Sequence, residues 1–225
     1  MAELHRSLME VRQKIEQAAR RSGRNVQDIT LLAVSKTVND TAVRQAYDLG
    51  IRDFGENRVQ EFNHKITALP EAHWHFIGRL QTNKVKDLVG RAFLIHSVDR
   101  WPLALELDKR GRQIGVQVPV LVQVNISAED SKTGLPIDDV ANFFQSLGDL
   151  TSLKVFGLMT IARLSSEPEE SRPVFRELAE LRNKLNRYQD RNIELKYLSM
   201  GMSQDYEVAI EEGANIVRIG GALFT

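Results

Sequence analysis

Lys36 is the residue whose position most suggests covalent chemistry. It follows residues 31–35, a short apolar run that predicts a buried strand because turn-forming residues bound it. A charge at the end of a buried strand is costly without a partner, whereas the neutral amine of a desolvated lysine is a nucleophile. Lys36 is therefore a candidate for Schiff-base chemistry. The stretch alone leaves open the alternative that Lys36 has left the sheet and points into water.

The ends of the last two predicted strands carry residues suited to an anion. Residues 201–203, Gly-Met-Ser, lead into a short predicted helix, so free backbone N–H groups and the helix dipole favour a negative group beside Ser203. Gly220 and Gly221 allow backbone N–H groups to approach a ligand closely, because neither has a Cβ. Ser203 could equally be a plain N-cap, and the two glycines a plain turn. Together with a strand-end lysine, these features suggest a phosphorylated aldehyde, with pyridoxal phosphate (PLP) as the leading candidate.

Alternating strands and helices would bring these residues together. Eight short β-rich runs are predicted, at residues 31–36, 51–55, 74–78, 93–98, 118–126, 153–159, 195–199 and 215–220. The helical patterns between them require parallel pairing, since each return needs a crossover connection. Eight such units favour one closed (β/α)8 barrel of the TIM type over the alternative, an open doubly wound sheet. No Gly-x-Gly-x-x-Gly follows a predicted strand, so the dinucleotide-binding form of the open sheet lacks support.

An amphipathic helix precedes the predicted barrel. Its apolar stripe recurs at steps of four and three residues and consists of Leu4, Leu8, Val11, Ile15 and Ala18. The other helices are predicted at residues 41–49, 56–69, 81–89, 136–147, 171–185 and 205–212, with one more that Asp99 can cap. Too few residues follow Gly220 for an eighth outer helix, so we expect the N-terminal helix to cover that gap. Residues 1–225 are expected to form a single PLP-binding barrel domain.

The composition limits the classes of function. The 30 basic and 30 acidic residues give a net charge of zero, which argues against a nucleic-acid or polyanion binder. The chain has no cysteine, which excludes disulfides, thiolate catalysis and cysteine metal sites and fits a reducing compartment. No apolar run is long enough to span a bilayer or to form a signal core, so we expect a cytoplasmic protein. His73 and His75 would share one strand face, but no third ligand of suitable spacing supports a metal site.

Six motifs, in order and nearly end to end, resemble those of the pyridoxal phosphate homeostasis protein family. They are Ala33-Val34-Ser35-Lys36-Thr37, Phe54-Gly55-Glu56-Asn57, Trp74-His75-Phe76-Ile77-Gly78 with Leu80-Gln81-Thr82-Asn83-Lys84, Gly157-Leu158-Met159-Thr160, Leu198-Ser199-Met200-Gly201-Met202-Ser203 and Val217-Arg218-Ile219-Gly220. That family is similar to the barrel domain of alanine racemase, so the resemblance implies the same fold.

The resemblance also implies a set of cofactor-binding residues. They are Lys36, Asn57, Met159, Met202, Ser203, Arg218, Gly220 and Gly221. Lys36 would form the internal aldimine with PLP, and Arg218 would face the pyridine nitrogen. The phosphate would lie against Ser203, the two glycines and the amide of Met202, while the remaining two residues would line the ring pocket. Position 221 departs from the pattern, because family members often have a hydroxyl residue where this chain has Gly221.

Arg218 also bears on catalysis. A guanidinium stays protonated and only donates hydrogen bonds, so a pyridine nitrogen that faces it must accept and stays unprotonated. The ring is then a weak electron sink, which disfavours transamination and strong carbanion chemistry. Racemisation also needs a second acid/base, which in alanine racemase comes from an extra β-domain of a partner subunit, and this chain has no residues left for one. His75 and His96 could substitute, but core or rim positions at strand ends are the simpler interpretation.

Three functions remain open. We favour a non-enzymatic, monomeric carrier or reservoir that holds PLP, limits the free aldehyde and supplies PLP-dependent apoenzymes in vitamin B6 homeostasis. The alternative is a small PLP-dependent amino-acid racemase of the alanine-racemase type, or a decarboxylase. A third is a regulator that acts through a partner surface, for which residues 84–86 and 163–172 are exposed candidates.

Overall fold

Eight parallel strands close into a barrel in the computed structural model, which describes residues 1–127, 133–163, 165–188 and 192–224. The strands of the molecule are β1 Thr30–Val34, β2 Asp53–Glu56, β3 His73–Phe76, β4 Leu94–Val98, β5 Val118–Asn125, β6 Leu135–Pro136, β7 Leu153–Met159, β8 Ile193–Ser199 and β9 Ile216–Ile219. Hydrogen bonding runs in the order β1-β2-β3-β4-β5-β7-β8-β9 and returns to β1, while the short β6 pairs outside the ring with β5. The predicted barrel is confirmed, and the open-sheet alternative is wrong.

Helices cover the outside of the barrel. They are α1 Ala2–Arg21, α2 Asp40–Asp48, α3 Val59–Ala68, α4 Trp101–Ile114, α5 Ile137–Leu147, α6 Arg172–Leu185, α7 Tyr206–Glu211 and α8 Gly221–Phe224. Short 3-10 turns are found at Val26–Asp28, Thr82–Asp87, Pro168–Ser171 and Asn186–Tyr188. Among the helices of the described ranges, none combines the length and the apolar character needed to cross a bilayer.

The N-terminal helix α1 covers the side of the barrel where the last outer helix is only one turn long. Its predicted apolar stripe is buried, and the helix packs against α7 and α8. Arg21 in its last turn forms ion pairs with Glu207 and Glu211 of α7, at 3.0 and 2.7 Å. Just beyond the helix, Arg24 donates hydrogen bonds to two carbonyl groups at and beyond the end of α7. The expectation that α1 fills this gap is confirmed, whereas the one-turn α8 is not predicted by the sequence pattern.

Two predicted elements are wrong in extent or type because of local geometry. β1 ends at Val34, since the chain turns over residues 35–38 and the amide of Val38 donates to the carbonyl of Ser35 at 2.9 Å. The helix predicted at residues 81–89 is only the 3-10 segment Thr82–Asp87. That segment buries just Val85, which leaves little apolar surface to stabilise further helical turns.

Two predicted helix starts also shift along the chain. Glu56 belongs to β2 rather than to the following helix, because its backbone continues the ladder with Phe76 of β3. The helix therefore begins at Val59. Asn39, not Asp40 or Thr41, caps α2, because its side-chain oxygen accepts the backbone N–H of Ala42 at 2.9 Å.

The barrel interior holds an apolar group and a polar group of side chains. The apolar group comes from five strands and consists of Leu32, Leu94, Leu121, Met159 and Ile216. The polar group is also buried and consists of His75, His96, Gln123, Ser199 and Arg218. Bulky branched residues usually fill the inside of such a barrel. The second group is therefore a departure from ordinary barrel packing, and it lies beneath the candidate site.

Candidate functional site

A pocket of about 360 Å³ lies where the carboxyl ends of the barrel strands meet. Its wall consists of Val34, Lys36, Asn57, Ile77, Gly78, Arg79, Gln123, Thr133, Ile161, Met202, Ser203, Arg218, Gly220 and Gly221. This end of the barrel is the one at which enzymes of this fold place their active sites. All the predicted site residues except Met159 border the pocket.

Lys36 lies on an exposed turn two residues beyond β1. The alternative that Lys36 has left the sheet is correct for its backbone, and the residue is exposed but still borders the pocket. The turn is held from below, because the amide of Ser35 donates to the carbonyl of Gly55 at 3.1 Å. Lys36 therefore projects from a fixed base rather than from a loose loop.

A buried ion pair under this turn is a feature that sequence reasoning missed. Lys65 Nζ lies 2.6 Å from Glu56 Oε1 and donates to the carbonyl of Ser35 at 2.5 Å. Ser35 Oγ donates to the same carboxylate oxygen at 2.7 Å. The side chains of Lys65 and Glu56 are only 2% and 0% exposed. Lys65 follows the buried Phe62 by three positions on α3, so both residues lie on the inner face of the helix. This spacing is the signal that could have identified Lys65 from the sequence.

Arg218 provides a buried cation beside the pocket. Its Nη1 donates to Ser199 Oγ and its Nη2 to the carbonyl of Thr160, both at 2.9 Å. Burial lowers the pKa of Arg218 to about 10, so the guanidinium stays charged at neutral pH. These two bonds fix the plane of the guanidinium, which can only donate to a ligand atom that reaches it.

Ser203 and the loop after β9 form a cluster of hydrogen-bonding groups at the pocket wall. Ser203 Oγ accepts from the amides of Gly220 and Ala222, each at 3.3 Å. The N-cap of α7 is Asp205, so the alternative that Ser203 is a plain cap is wrong. The amide of Met202, which is predicted to contact the phosphate, donates to Asp205 Oδ1 at 2.6 Å, so a phosphate would compete with that carboxylate for it.

Glycines set the spacing at two points of the wall. A Cβ at Gly78 would lie 2.1 Å from the carbonyl oxygen of Asn57, so only glycine lets these two strand ends approach each other. This contact fixes the backbone of Asn57 at the rim. A Cβ at Gly221 would have Ser203 Oγ as its nearest neighbour, at 3.9 Å. A small side chain therefore fits at position 221.

Met159 is the one predicted site residue that the structure places away from the pocket wall. It is fully buried in the apolar group inside the barrel and is not on the wall of the pocket. Its strand pairs it with Gln123 of β5, and Gln123 is the residue that borders the pocket instead. Gln123 Nε2 donates to the carbonyl and hydroxyl oxygens of Thr133, both at 2.9 Å, which ties the loop after β5 to the site. A glutamine inside a strongly apolar predicted strand is the signal that could have identified it.

The titratable groups of the described wall are cationic. They are Lys36, Arg79 and Arg218. His75 and His96, candidates for a second acid/base that are more simply interpreted as core or rim residues, are buried inside the barrel and do not border the pocket. Within the described ranges, no cluster of three or more histidine, cysteine or acidic residues could hold a metal ion. The wall thus combines an amine, a fixed guanidinium and a hydroxyl, a set that suits a small anionic carbonyl compound.

Sequence relatives match almost the whole length of the chain. Residues 7–225 match the family described as "Alanine racemase, N-terminal domain". The pyridoxal phosphate homeostasis protein of Aquifex aeolicus is 48% identical over 219 residues, which cover 96% of this chain and 95% of the relative. The chain belongs to the pyridoxal phosphate homeostasis protein family. Another member, from Pseudomonas aeruginosa, is 40% identical over 227 residues, which cover 100% of this chain and 96% of the relative.

The fold of this family member is also similar to several solved structures. An unknown protein from Bifidobacterium adolescentis has a TM-score of 0.94 and 32% identity, covering 99% of this chain and 95% of that one. PipY of Synechococcus elongatus PCC7942, with PLP bound, has a TM-score of 0.82 and 35% identity, covering 94% of this chain and 100% of that one. An alanine racemase of Clostridium difficile 630 has a TM-score of 0.77 but 12% identity, covering 100% of this chain and 56% of that one. The last likeness is one of fold alone.

Proposed function

We propose that this protein binds PLP in the pocket at the carboxyl ends of the strands and acts in vitamin B6 homeostasis. Support comes from its family membership and from the PLP bound to the related PipY. The observation that carries the proposal is the meeting of Lys36, Ser203 and Arg218 on one pocket wall. They come from the ends of three different strands, and a purely structural role would not require them to converge.

The residues present fit the chemical groups of PLP. The pocket is of the size that small ligands occupy, about 300 Å³ or more. When bound, PLP supplies an aldehyde that can join covalently to a primary amine. Lys36 would be that amine, Ser203 with the backbone of Gly220 and Gly221 would hold the phosphate, and Arg218 would donate to the pyridine nitrogen.

We propose further that the protein is a carrier or reservoir rather than a strong catalyst. Arg218 is already held by Ser199 and Thr160, and as a permanent donor it would keep a pyridine nitrogen unprotonated. The described wall offers Lys36 as its single amine and no carboxylate or histidine that could act on the opposite face of a substrate. The natural recipients of the cofactor would be PLP-dependent apoenzymes in the cytoplasm, with the protein acting as a monomer.

An absorbance spectrum tests the binding proposal directly. Wild-type protein mixed with PLP should acquire the visible absorbance of lysine-bound cofactor, and Lys36→Ala should lose it. Lys84→Ala is the matched control, because Lys84 is a half-buried lysine near the same end of the barrel but not on this pocket wall. Equal absorbance in wild type and Lys36→Ala would reject Lys36 as the anchor.

A racemase is the second candidate, and the match to the alanine racemase N-terminal domain favours it. The two functions differ in whether the loaded protein labilises the α-hydrogen of an amino acid. Incubation with single amino acids in heavy water separates them. Exchange well above that given by free PLP would establish an enzyme, whereas exchange equal to that of free PLP would support the carrier.

A further inference from the structure

A continuous chain of hydrogen bonds runs through the barrel interior from Arg218 to the first residue of β2. Arg218 Nη1 lies 2.9 Å from Ser199 Oγ, which lies 2.9 Å from His96 Nδ1. His96 Nε2 lies 2.9 Å from His75 Nδ1, and His75 Nε2 lies 3.1 Å from Asp53 Oδ1. The chain crosses four strands, β9, β8, β4 and β3, and ends on β2. It connects the pocket with the opposite, amino-terminal end of the barrel.

The directions of the hydrogen bonds in this chain follow from Asp53 when both histidines are neutral. The Asp53 carboxylate only accepts, so His75 carries its proton on Nε2 and donates to it. The unprotonated His75 Nδ1 then accepts from His96 Nε2. His96 Nδ1 in turn accepts from Ser199 Oγ, whose lone pairs accept from Arg218. Both histidines are therefore Nε2–H tautomers in this arrangement.

Burial favours the neutral form of both histidines, which leaves the formal charges of the chain on Arg218 and Asp53. Burial lowers the pKa of His96 well below its usual range, with smaller contributions from the neighbouring His75 and Arg218. Burial also lowers the pKa of His75, although the hydrogen bond and charge of Asp53 oppose the shift. The groups that face His75 are Asp53, His96 and the ring of Phe93, and His73 acts on it as a more distant charge.

We propose that Asp53, His75, His96 and Ser199 are positioning residues for Arg218, forming a one-directional relay that orients its guanidinium and couples the pocket to a carboxylate at the other end of the barrel. The relay would hold the same Nη1 atom away from a ligand and leave the rest of the guanidinium to donate into the pocket. The effect of the relay on a bound pyridine ring rests on the proposed PLP function. The predicted tautomers of His75 and His96 do not depend on that function.

Nitrogen-15 spectra of histidine-labelled protein without PLP test the relay. Both His75 and His96 should be neutral Nε2–H tautomers at about pH 8, because burial lowers the pKa of each from the ordinary value of 6.5. Asp53→Asn keeps the shape of the end residue but removes its charge, and it should shift the His75 and His96 signals in turn. His73→Asn is the control, since His73 also contacts Asp53 Oδ1, at 3.2 Å, but lies outside the relay. An Nδ1–H tautomer or a charged state at either buried histidine would overturn the proposal.

A binding measurement adds a readout that mere packing would not move. Asp53→Asn should weaken PLP binding about fivefold, as expected for coupling through a network, although Asp53 does not border the pocket. His73→Asn should leave the affinity within about twofold. Equal affinity in wild type and Asp53→Asn would refute the coupling. If wild-type protein failed to bind PLP at all, the proposed function would be wrong. The nitrogen-15 spectra would still test the relay, because they are recorded without PLP.

Discussion

Single residues at this site act through partners that lie beneath the pocket wall. Lys36 is exposed, but the turn that carries it is fixed by Ser35, whose carbonyl and hydroxyl both bind the Glu56–Lys65 pair. A buried ion pair is weakly stabilising as a whole, yet breaking one half is expensive because a charge is left without compensation. The second oxygen of Glu56 has no hydrogen-bond partner among the described residues, so this site already tolerates one unsatisfied acceptor.

We expect Lys65→Met to lower the free energy of unfolding by about 3–5 kcal/mol, because it leaves the Glu56 carboxylate buried and unpaired. Urea denaturation would measure the change. The control is the double variant Lys65→Met with Glu56→Met, which removes both charges and should recover most of the lost stability. A double variant that is as unstable as the single one would show that packing, not charge, is the cause.

The glycine at position 78 should be far less replaceable than the glycine at position 221. Gly78→Ala would drive a Cβ into the carbonyl of Asn57, so we expect a loss of about 1–3 kcal/mol in unfolding free energy and weaker PLP binding. Gly221→Ser has room for its side chain and places a second hydroxyl near Ser203. It should leave stability within about 0.5 kcal/mol of wild type. The opposite order of stability in thermal denaturation would contradict this assignment of space.

At the scale of elements, charge pairs connect the outer helices around the end of the barrel. Arg172 and Arg176 of α6 contact Glu212, which follows α7, at 2.9 and 3.0 Å. Arg21 of α1 and Arg172 both contact Glu211 on α7, each at 2.7 Å. The short α7 therefore stays in place through contacts with its two longer neighbours, and with it the loop that carries Ser203.

This cluster should make stability depend on acid pH. The hydrogen bond from Arg176 lowers the pKa of Glu212 from its ordinary value of 4.5, burial opposes this, and Arg172 adds to it. The unfolded chain then binds more protons than the folded one, so the contribution is full above about pH 4.5 and is lost as pH falls through the lowered pKa. Glu212→Gln should remove about 1 kcal/mol at pH 7 and less at pH 3. Parallel urea titrations at the two pH values measure this, and an equal loss at both would contradict it.

The sequence pattern could predict elements more reliably than their ends. All eight barrel strands were foreseen from apolar runs, because burial on both faces leaves a strong compositional signal. The end of β1 at Val34 depends on a turn closed by the Ser35 carbonyl, and the start of β2 depends on its ladder with β3. Such details are set by neighbours distant in sequence. A pattern within one segment does not contain them.

The site was predictable in part for the same reason. The predicted site residues that border the pocket follow or lie near the carboxyl ends of strands, as Lys36, Ser203 and Arg218 do. In a closed parallel barrel these ends meet at one rim whatever the register of the strands. The inward position of Met159 could not be predicted, because a side chain at a strand end can point either into the filled barrel or toward its mouth. The relay to Asp53 requires the register of five strands, and two histidines on separate predicted strands gave no hint that they touch.

At the scale of the whole molecule, the closed barrel joins two chemically different ends. The pocket opens among cationic groups at the carboxyl ends, whereas Asp53 and His73 lie at the amino-terminal ends of their strands and are partly exposed. The net charge of zero gives no general attraction for polyanions, so any affinity for a phosphorylated ligand has to come from the pocket itself. Direct contacts with such a ligand would therefore come from the rim at the carboxyl ends of the strands.

The most direct test of PLP binding to Lys36 is to fix the bound cofactor covalently and identify the residue that carries it. Protein loaded with PLP is reduced with borohydride, digested and mapped by peptide mass spectrometry. We predict a single pyridoxyl label on Lys36, with the buried Lys65 and the half-buried Lys84 unmodified. A label on another lysine, or no label on protein that has bound PLP, would contradict the account of this pocket.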